Sequence, residues 1–390
     1  MNILKTLKNR TPLGWLQLSH DRLKFLTAIS GIAFADILIF TQMGFLNAML
    51  DSSVELHQNI DTDLVLMNPE GLNINETNTF PRTRLYQAQN IKGVVSAQPL
   101  YINNVKWKNP QTSQESSITV IGIDDETVTF DIPQVNQNLE EIRLPYHFLF
   151  DRASRGEYDQ VIANVEENQI VTTEIERSTI SISGLFTLGA SFGSDGMLLS
   201  SHENFLRLFP KKSPSTVNLG LIKVSGDAEE IKEQLNNYFA PFPDVEVMTK
   251  AEFIAKEQEY WSTNRPVGVI FGFGIAIGVV VGIVIVYQVL VTDVNDHLSE
   301  YATFKAMGFN NGYLLNVILE EAIILGLFGF LPGLGISWGI YGLVRQATAL
   351  PLKITFARAM VVLMGTLMMC LFSGWIATKK LQSGDPADIF

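Results

Sequence analysis

The chain has one cysteine, Cys370, placed inside an apolar run, so no intrachain disulfide can form. Any water-facing domain must therefore stand on its own hydrophobic core. Basic residues are scarce: 28 Lys and Arg stand against 40 Asp and Glu, a formal net charge of −12. That argues against a nucleic-acid partner, which would need a basic surface. The histidines, His20, His57, His147, His202 and His297, are scattered without ligand spacing, so no metal site is expected. No G-x-x-x-x-G-K-[ST] occurs, so the chain carries no P-loop and binds no nucleotide by that route. Between residues 51 and 266 no Ser–His–Asp set, metal set or paired-acid arrangement is visible, so an enzyme in its own right is not expected. Internal repeats and low-complexity segments are absent too.

Apolar residues are plentiful. Of 390 residues 47% are hydrophobic and 17% charged, with a mean hydropathy of +0.18. This is apolar for a soluble protein and polar for a fully embedded one, which implies membrane spans plus a water-facing domain. Four runs are long enough to cross a bilayer: Phe25–Met49, Val267–Val291, Tyr313–Leu343 and Ala359–Ala377. The expected fold class is an α-helical membrane protein with four transmembrane helices and a large extracytoplasmic α+β domain. Its parts are an amphipathic segment 1–24, spans at 25–50, 267–292, 313–344 and 359–378, a segment 293–312 and a loop 345–358 between spans, and a tail 379–390. The basic lead-in is followed by a run too long for a signal peptide, so no cleavage is expected.

Residues 51–266 carry both strand and helix signals. Asp63–Met67, Leu219–Val224 and Val245–Met248 read as strands, and Arg82–Gln89, Asp227–Phe239 and Thr249–Trp261 as helices. Asp227 with Glu230, and Thr249 with Glu252, have capping-box spacing. The middle is more β-like, at Ser117–Ile123, Val171–Glu176, Ser178–Leu188 and Met197–Ser200. The economical picture is an α+β domain from 51–107 and 218–266, with a β-rich subdomain 108–217 inserted in it.

Within the spans, Gly274, Gly278 and Gly282 recur at four-residue intervals on one helix face, as do Gly335 and Gly339. Small residues at that spacing let helix backbones approach closely. Asp36, Glu320 and Glu321 are intramembrane acids and functional candidates by default, the alternative for Asp36 being a structural hydrogen bond. Glu320 and Glu321 point about 100° apart, so they cannot form one carboxylate pair. Pro332 next to Gly333 is expected to kink or break the third run.

The segment between the second and third spans does not read as a plain loop. Ser299 can cap a helix start and Gly308 can end one, while Tyr301, Ala302, Phe304, Ala306 and Met307 leave little polar face. Such a helix needs a cover. One reading is a tight turn on the bilayer surface; the sharper one is a docking helix for a second protein. Basic residues before the first span place both termini and 293–312 in the cytoplasm and 51–266 outside, although Arg345, Lys353 and Arg358 then fall on the outer side against the rule.

One span, a large domain, then three spans is the layout of FtsX/MacB-type permeases. Ser299-Glu300-Tyr-Ala-Thr-Phe-Lys-Ala306-Met-Gly308 resembles the cytoplasmic motif of that superfamily, and Asp385-Pro386-Ala387 its closing motif. Within it the chain looks most like the cyanobacterial DevC permeases. This rests on Trp15–Ser19, Gly31–Asp36, Phe80–Tyr86, Leu149–Arg155, Gly184–Gly193 and Glu300–Gly308, spread over essentially the whole chain. The resemblance implies a split porter domain and a homodimer in the inner membrane of a bacterium. It implies a separate cytoplasmic ABC ATPase that holds ATP and Mg, with no cofactor on this chain. A periplasmic adaptor and an outer-membrane duct complete the expected assembly, as in heterocyst glycolipid export. ATPase coupling would fall to Glu300, Tyr301, Ala302, Lys305, Ala306, Met307 and Gly308. A subunit that moves no cargo and transmits force to an extracytoplasmic hydrolase is the alternative within the superfamily. A receptor or scaffold with no ATPase is a third reading.

Overall fold

The computed structural model describes residues 13–264, 266–298, 300, 303, 307–308 and 311–382. These fall into two units. One takes in residues up to 47, 269–344 and 352 onward; the other takes in 48–268 and 345–351.

The first unit is helical. A short helix α1 (Leu13–His20) precedes α2 (Arg22–Asn59). Residues 1–12, the rest of the expected amphipathic lead-in, lie outside the described residues. Among the described residues, four helices are long and apolar enough to cross a membrane. The span in α2 is the first, and the others lie in α9 (Pro266–Asp296), α10 (Asn311–Thr348) and α11 (Phe356–Gln382). Of the kink or break expected at Pro332, the break does not occur, because α10 is one helix with Pro332 inside it. A single proline removes one hydrogen bond, and the turns on either side carry the helix through. The first span is longer than expected. Its helix continues to Asn59, because Ser52, Ser53, Val54, Leu56 and His57 are buried in the second unit.

The second unit is built on a nine-stranded sheet. Its strands are β1 (Leu64–Met67), β3 (Val94–Lys108), β4 (Glu115–Ile123), β5 (His147–Asp151), β6 (Val171–Ile175), β7 (Ser178–Phe186), β8 (Gly196–Ser201), β10 (Leu219–Val224) and β11 (Glu246–Thr249). The order across the sheet is β11-β1-β10-β3-β4-β8-β5-β7-β6. A two-stranded pair, β2 (Phe80–Pro81) with β9 (Thr216–Val217), lies apart from it. The long β3 joins the two parts expected from the sequence. Its residues from Val94 to Leu100 pair with β10, and those from Tyr101 to Lys108 pair with β4. The middle segment therefore continues the sheet of the end segments along one shared strand. Its far edge curls back: the Trp107 indole N–H donates to Thr173 Oγ1 on β6 at 2.8 Å, and that hydroxyl donates to the Lys108 carbonyl at 3.3 Å.

Both faces of this sheet are covered, which is why β1 reads as the unbroken apolar run Leu-Val-Leu-Met. Leu64 and Leu66 enter one core with Leu85, Phe150, Leu235 and Phe239. Val65 and Met67 enter the other with Leu56, Ile121, Leu199 and Phe253. Helix α7 (Ala228–Phe239) buries Ile231, Leu235 and Phe239, four residues apart on one face. Asp227 caps it by accepting from Glu229 N–H at 3.0 Å. Helix α8 (Lys250–Glu259) has the full reciprocal box: Thr249 Oγ1 accepts from Glu252 N–H, and Glu252 Oε2 accepts from Thr249 N–H at 2.8 Å.

Candidate functional site

The segment after α9 is the candidate site. Tyr301, Ala302, Lys305 and Ala306 lie outside the described residues, as do Ser299 and Asp385, Pro386 and Ala387. What is described begins with the end of α9. His297 N–H donates to the Asp293 carbonyl at 3.1 Å, and Glu300 N–H donates to that of His297 at 3.1 Å. The side chains follow the same line. Glu300 Oε1 lies 3.2 Å from His297 Nδ1, and His297 Nε2 lies 3.9 Å from Asp293 Oδ1. The Glu300 carboxylate is thus held at the root of the segment, still more than half exposed. Met307 N–H donates to the Thr303 carbonyl at 3.0 Å, one helical turn. The Met307 side chain is 60% exposed, an apolar group left in the open where a partner could cover it. Gly308 has φ +91°, the left-handed conformation that ends a helix and that a side chain would strain.

Gly274, Gly278 and Gly282 of α9 face other helices of the same unit. A methyl group built at Gly274 would lie 2.6 Å from Gln42 Cδ, and one at Gly278 2.9 Å from Ile39 Cγ1. One at Gly282 would run into Met369 Sδ and approach Ala35. These positions let α9 lie against α2 and α11. Gly335 and Gly339 behave differently: a methyl group there meets nothing within 4 Å. The glycines that draw α10 onto α2 are Gly329, whose added methyl would sit 2.5 Å from Ile32 Cγ2, and Gly333, whose added methyl would sit 2.9 Å from Asp36 Cβ and 3.3 Å from the Ala33 carbonyl.

The intramembrane acids separate by environment. Asp36 is fully buried, and its Oδ1 accepts from the Thr366 hydroxyl on α11 at 2.6 Å. Glu321 is fully buried and its carboxyl faces that of Asp293 on α9 within hydrogen-bonding reach. Helix α1 lies on it, because a methyl group at Gly14 would be 2.9 Å from Glu321 Cγ. Glu320 is half-buried. The three acids form no common cluster, and no group of three or more metal-ligating side chains occurs among the described residues.

Sequence reasoning passed over two groups in the second unit. His57 and Glu257 are buried together, Nε2 to Oε2 at 3.2 Å, with the His57 ring 4.4 Å from that of Phe253. Glu257 also accepts from Ile74 N–H at 2.9 Å and from the Trp261 indole N–H at 2.8 Å. Asp151 is fully buried and accepts from the backbone N–H groups of Ala153, Leu188 and Gly189. Burial pushes its carboxyl above the ordinary aspartate range, and those three N–H groups oppose the shift.

Residues 272–386 match the family model of the FtsX-like permease C-terminal domain. No curated protein matches the chain by sequence. Among solved structures, the chain is similar to the periplasmic region of MacB from Actinobacillus actinomycetemcomitans. The identity is 13% and the TM-score 0.34, over 50% of this chain and 91% of that one. It is also similar to the extracellular domain of the noncanonic ABC-type transporter YknZ from Gram-positive bacteria. There the identity is 11% and the TM-score 0.32, over 48% of this chain and all of the other.

Proposed function

We propose that the chain is the permease subunit of an ATP-driven tripartite exporter of the DevC kind. The observation that supports the permease reading is the match of residues 272–386 to the FtsX-like permease C-terminal domain, a stretch that takes in the second, third and fourth spans and the turn between α9 and α10. Both termini and that turn lie in the cytoplasm of a bacterial inner-membrane protein, and the α+β domain lies outside. A separate ABC ATPase binds ATP and Mg and docks on Glu300–Gly308, each copy of a homodimer taking one ATPase. Glu300 anchors the docked turn by a charge-assisted hydrogen bond, and Met307 fills an apolar groove. A periplasmic adaptor and an outer-membrane duct complete the path for a lipid, glycolipid or other hydrophobic cargo.

A second reading keeps the ATPase but moves no cargo: the chain transmits force to an extracytoplasmic enzyme. The close approach of α9 and α10 to α2 at Gly278 and Gly333 favours it, since such contacts suit force better than passage. In both readings Met307→Asp abolishes ATPase binding, because it puts a charge into a desolvated groove. The measurement is co-purification of the full chain with its ATPase from membranes. Binding at the wild-type level would remove this turn as the coupling element.

A further inference from the structure

Two segments singled out in the sequence, Leu149–Arg155 and Gly184–Gly193, come together around one side chain, Arg155. Asp151 draws them close through Leu188 N–H at 3.0 Å and Gly189 N–H at 2.7 Å. Arg155 then spreads its guanidinium over three acceptors. Nη1 donates to Asp195 Oδ1 at 2.9 Å, Nη2 to the Ser191 carbonyl at 3.3 Å, and Nε to the Thr348 carbonyl at 2.9 Å. Asp195 is in turn stitched to β4: its N–H donates to the Ser117 carbonyl at 2.7 Å, and its Oδ2 accepts from Ser117 N–H at 3.2 Å.

Thr348 is the last residue of α10, where helix carbonyls have no partner in the helix and the dipole favours a cation. Arg155 therefore caps that end. The chain then turns sharply. Ala349 takes the left-handed conformation at φ +54°, with its N–H on the Arg345 carbonyl at 3.0 Å. Leu350 is buried. Residues 345–351, the first part of the expected loop 345–358, thus belong to the second unit.

We propose that Arg155 is a clip that fastens the connector between the third and fourth membrane helices to loop 187–195, so that movement of those helices reaches β4 and β8. The ATP-driven source of that movement rests on the function proposed above; the clip does not. Lysine cannot replace arginine here, because one ammonium cannot hold three acceptors arranged as a fork.

The test uses the full chain in lipid nanodiscs, without any ATPase, and reads amide hydrogen exchange. Arg155→Ala should speed exchange at 345–350 by about tenfold, the loss of one charge-assisted hydrogen bond. Arg155→Lys should fall between that and wild type, with the core of β4 unchanged in both. Equal exchange at 345–350 in all three proteins overturns the clip, and a general speeding that includes β4 makes Arg155 merely structural. If Arg155→Ala does not fold, Arg155→Lys carries the comparison. Coupling is then read with a wedge in α10, Gly333→Ala, or Gly329→Ala should the first not fold. The wedge should raise exchange at 187–195 several-fold in the wild-type background and leave it unchanged beside the Arg155 variant. An equal response in both backgrounds, or none in either, refutes transmission through Arg155. Because no ATPase is present, failure here is distinct from failure of the Met307→Asp experiment.

Discussion

Gly278→Leu tests the packing of the spans most directly. The first carbon of any side chain at this position would lie 2.9 Å from Ile39 Cγ1, 3.5 Å from Ile39 N and 3.7 Å from Leu38 Cβ. Favourable carbon contacts lie at about 3.5–4.0 Å, so the first of these is a clash. Ile39 cannot swing away, because a β-branched side chain in a helix has essentially one χ1 rotamer. Overpacking of this kind costs about 1–3 kcal/mol and occasionally more. Replacing glycine in a helix returns about 1 kcal/mol, so alanine would give a small net change and leucine is the decisive choice. Leucine adds three further carbons to that contact and so takes the upper end of the overpacking cost, about 3 kcal/mol, for a net loss of about 2 kcal/mol and a fall of about 4–8 °C in Tm at the 2–4 °C per kcal/mol of a unit this size. The assay is thermal unfolding of the purified full chain in detergent. Gly339→Leu is the control, because its first carbon meets nothing within 4 Å. That variant should match wild type or exceed it as a monomer. Light scattering would show loss of a dimer if a second copy lies on that face. A Gly278→Leu protein with the Tm of wild type or of the control would refute the packing argument.

The remaining predictions concern topology and the second unit. In a Cys370→Ser background, a cysteine at exposed Gln169 should react with an impermeant maleimide in outer-permeabilised cells, and one at Met307 should not; the reverse pattern inverts the orientation. Ser154 would be a poor labelling site, since it is buried with its hydroxyl on the Asp151 carbonyl. Glu257→Ala strands His57, Ile74 N–H and the Trp261 indole N–H, so a loss of about 2–4 kcal/mol is expected in thermal unfolding; Glu257→Gln should cost less. Asp151 holds its proton more tightly folded than unfolded, so its contribution is full at low pH and is lost as pH rises from about 4 toward the folded value. Asp151→Asn should remove that slope from a plot of Tm against pH. It should also lower Tm throughout, because an amide NH2 replaces an acceptor facing backbone N–H groups.

Much of the architecture was legible because it depends on local pattern. Apolar runs mark spans wherever they occur, and Leu219–Val224 announces a strand by composition alone. The Thr249–Glu252 box needs only residues three apart. What escaped depends on partners distant in the chain. His147–Asp151 was not among the expected strands, yet it becomes one by pairing parallel to β7 and antiparallel to β8. The extension of α2 past the membrane looked like the start of a domain, because Asp51, Glu55 and Gln58 interrupt the apolar pattern. Its buried face is set by residues two hundred positions later, Phe253 and Glu257.

The intramembrane acids show where such reasoning stops. One rule marks Asp36 and Glu321 alike, since a carboxyl in a span costs free energy unless something answers it. Packing answers them differently. At Asp36 the answer is a threonine hydroxyl on another helix, 330 positions away. That hydroxyl also lies 2.9 Å from the Val362 carbonyl, so its one proton serves two acceptors. Close approach of α10 at Gly333 then seals the site. At Glu321 the answer is a second carboxyl, Asp293 on α9, within hydrogen-bonding reach, under a cover: α1 reaches it only because Gly14 has no side chain. A glycine three hundred positions upstream is therefore part of the environment of a carboxyl, and no spacing within α10 could have revealed it. The same holds for Arg155 and Thr348, 193 positions apart. In this chain a polar residue's presence is written locally, and its role is written in whichever helix end or loop the fold brings to it.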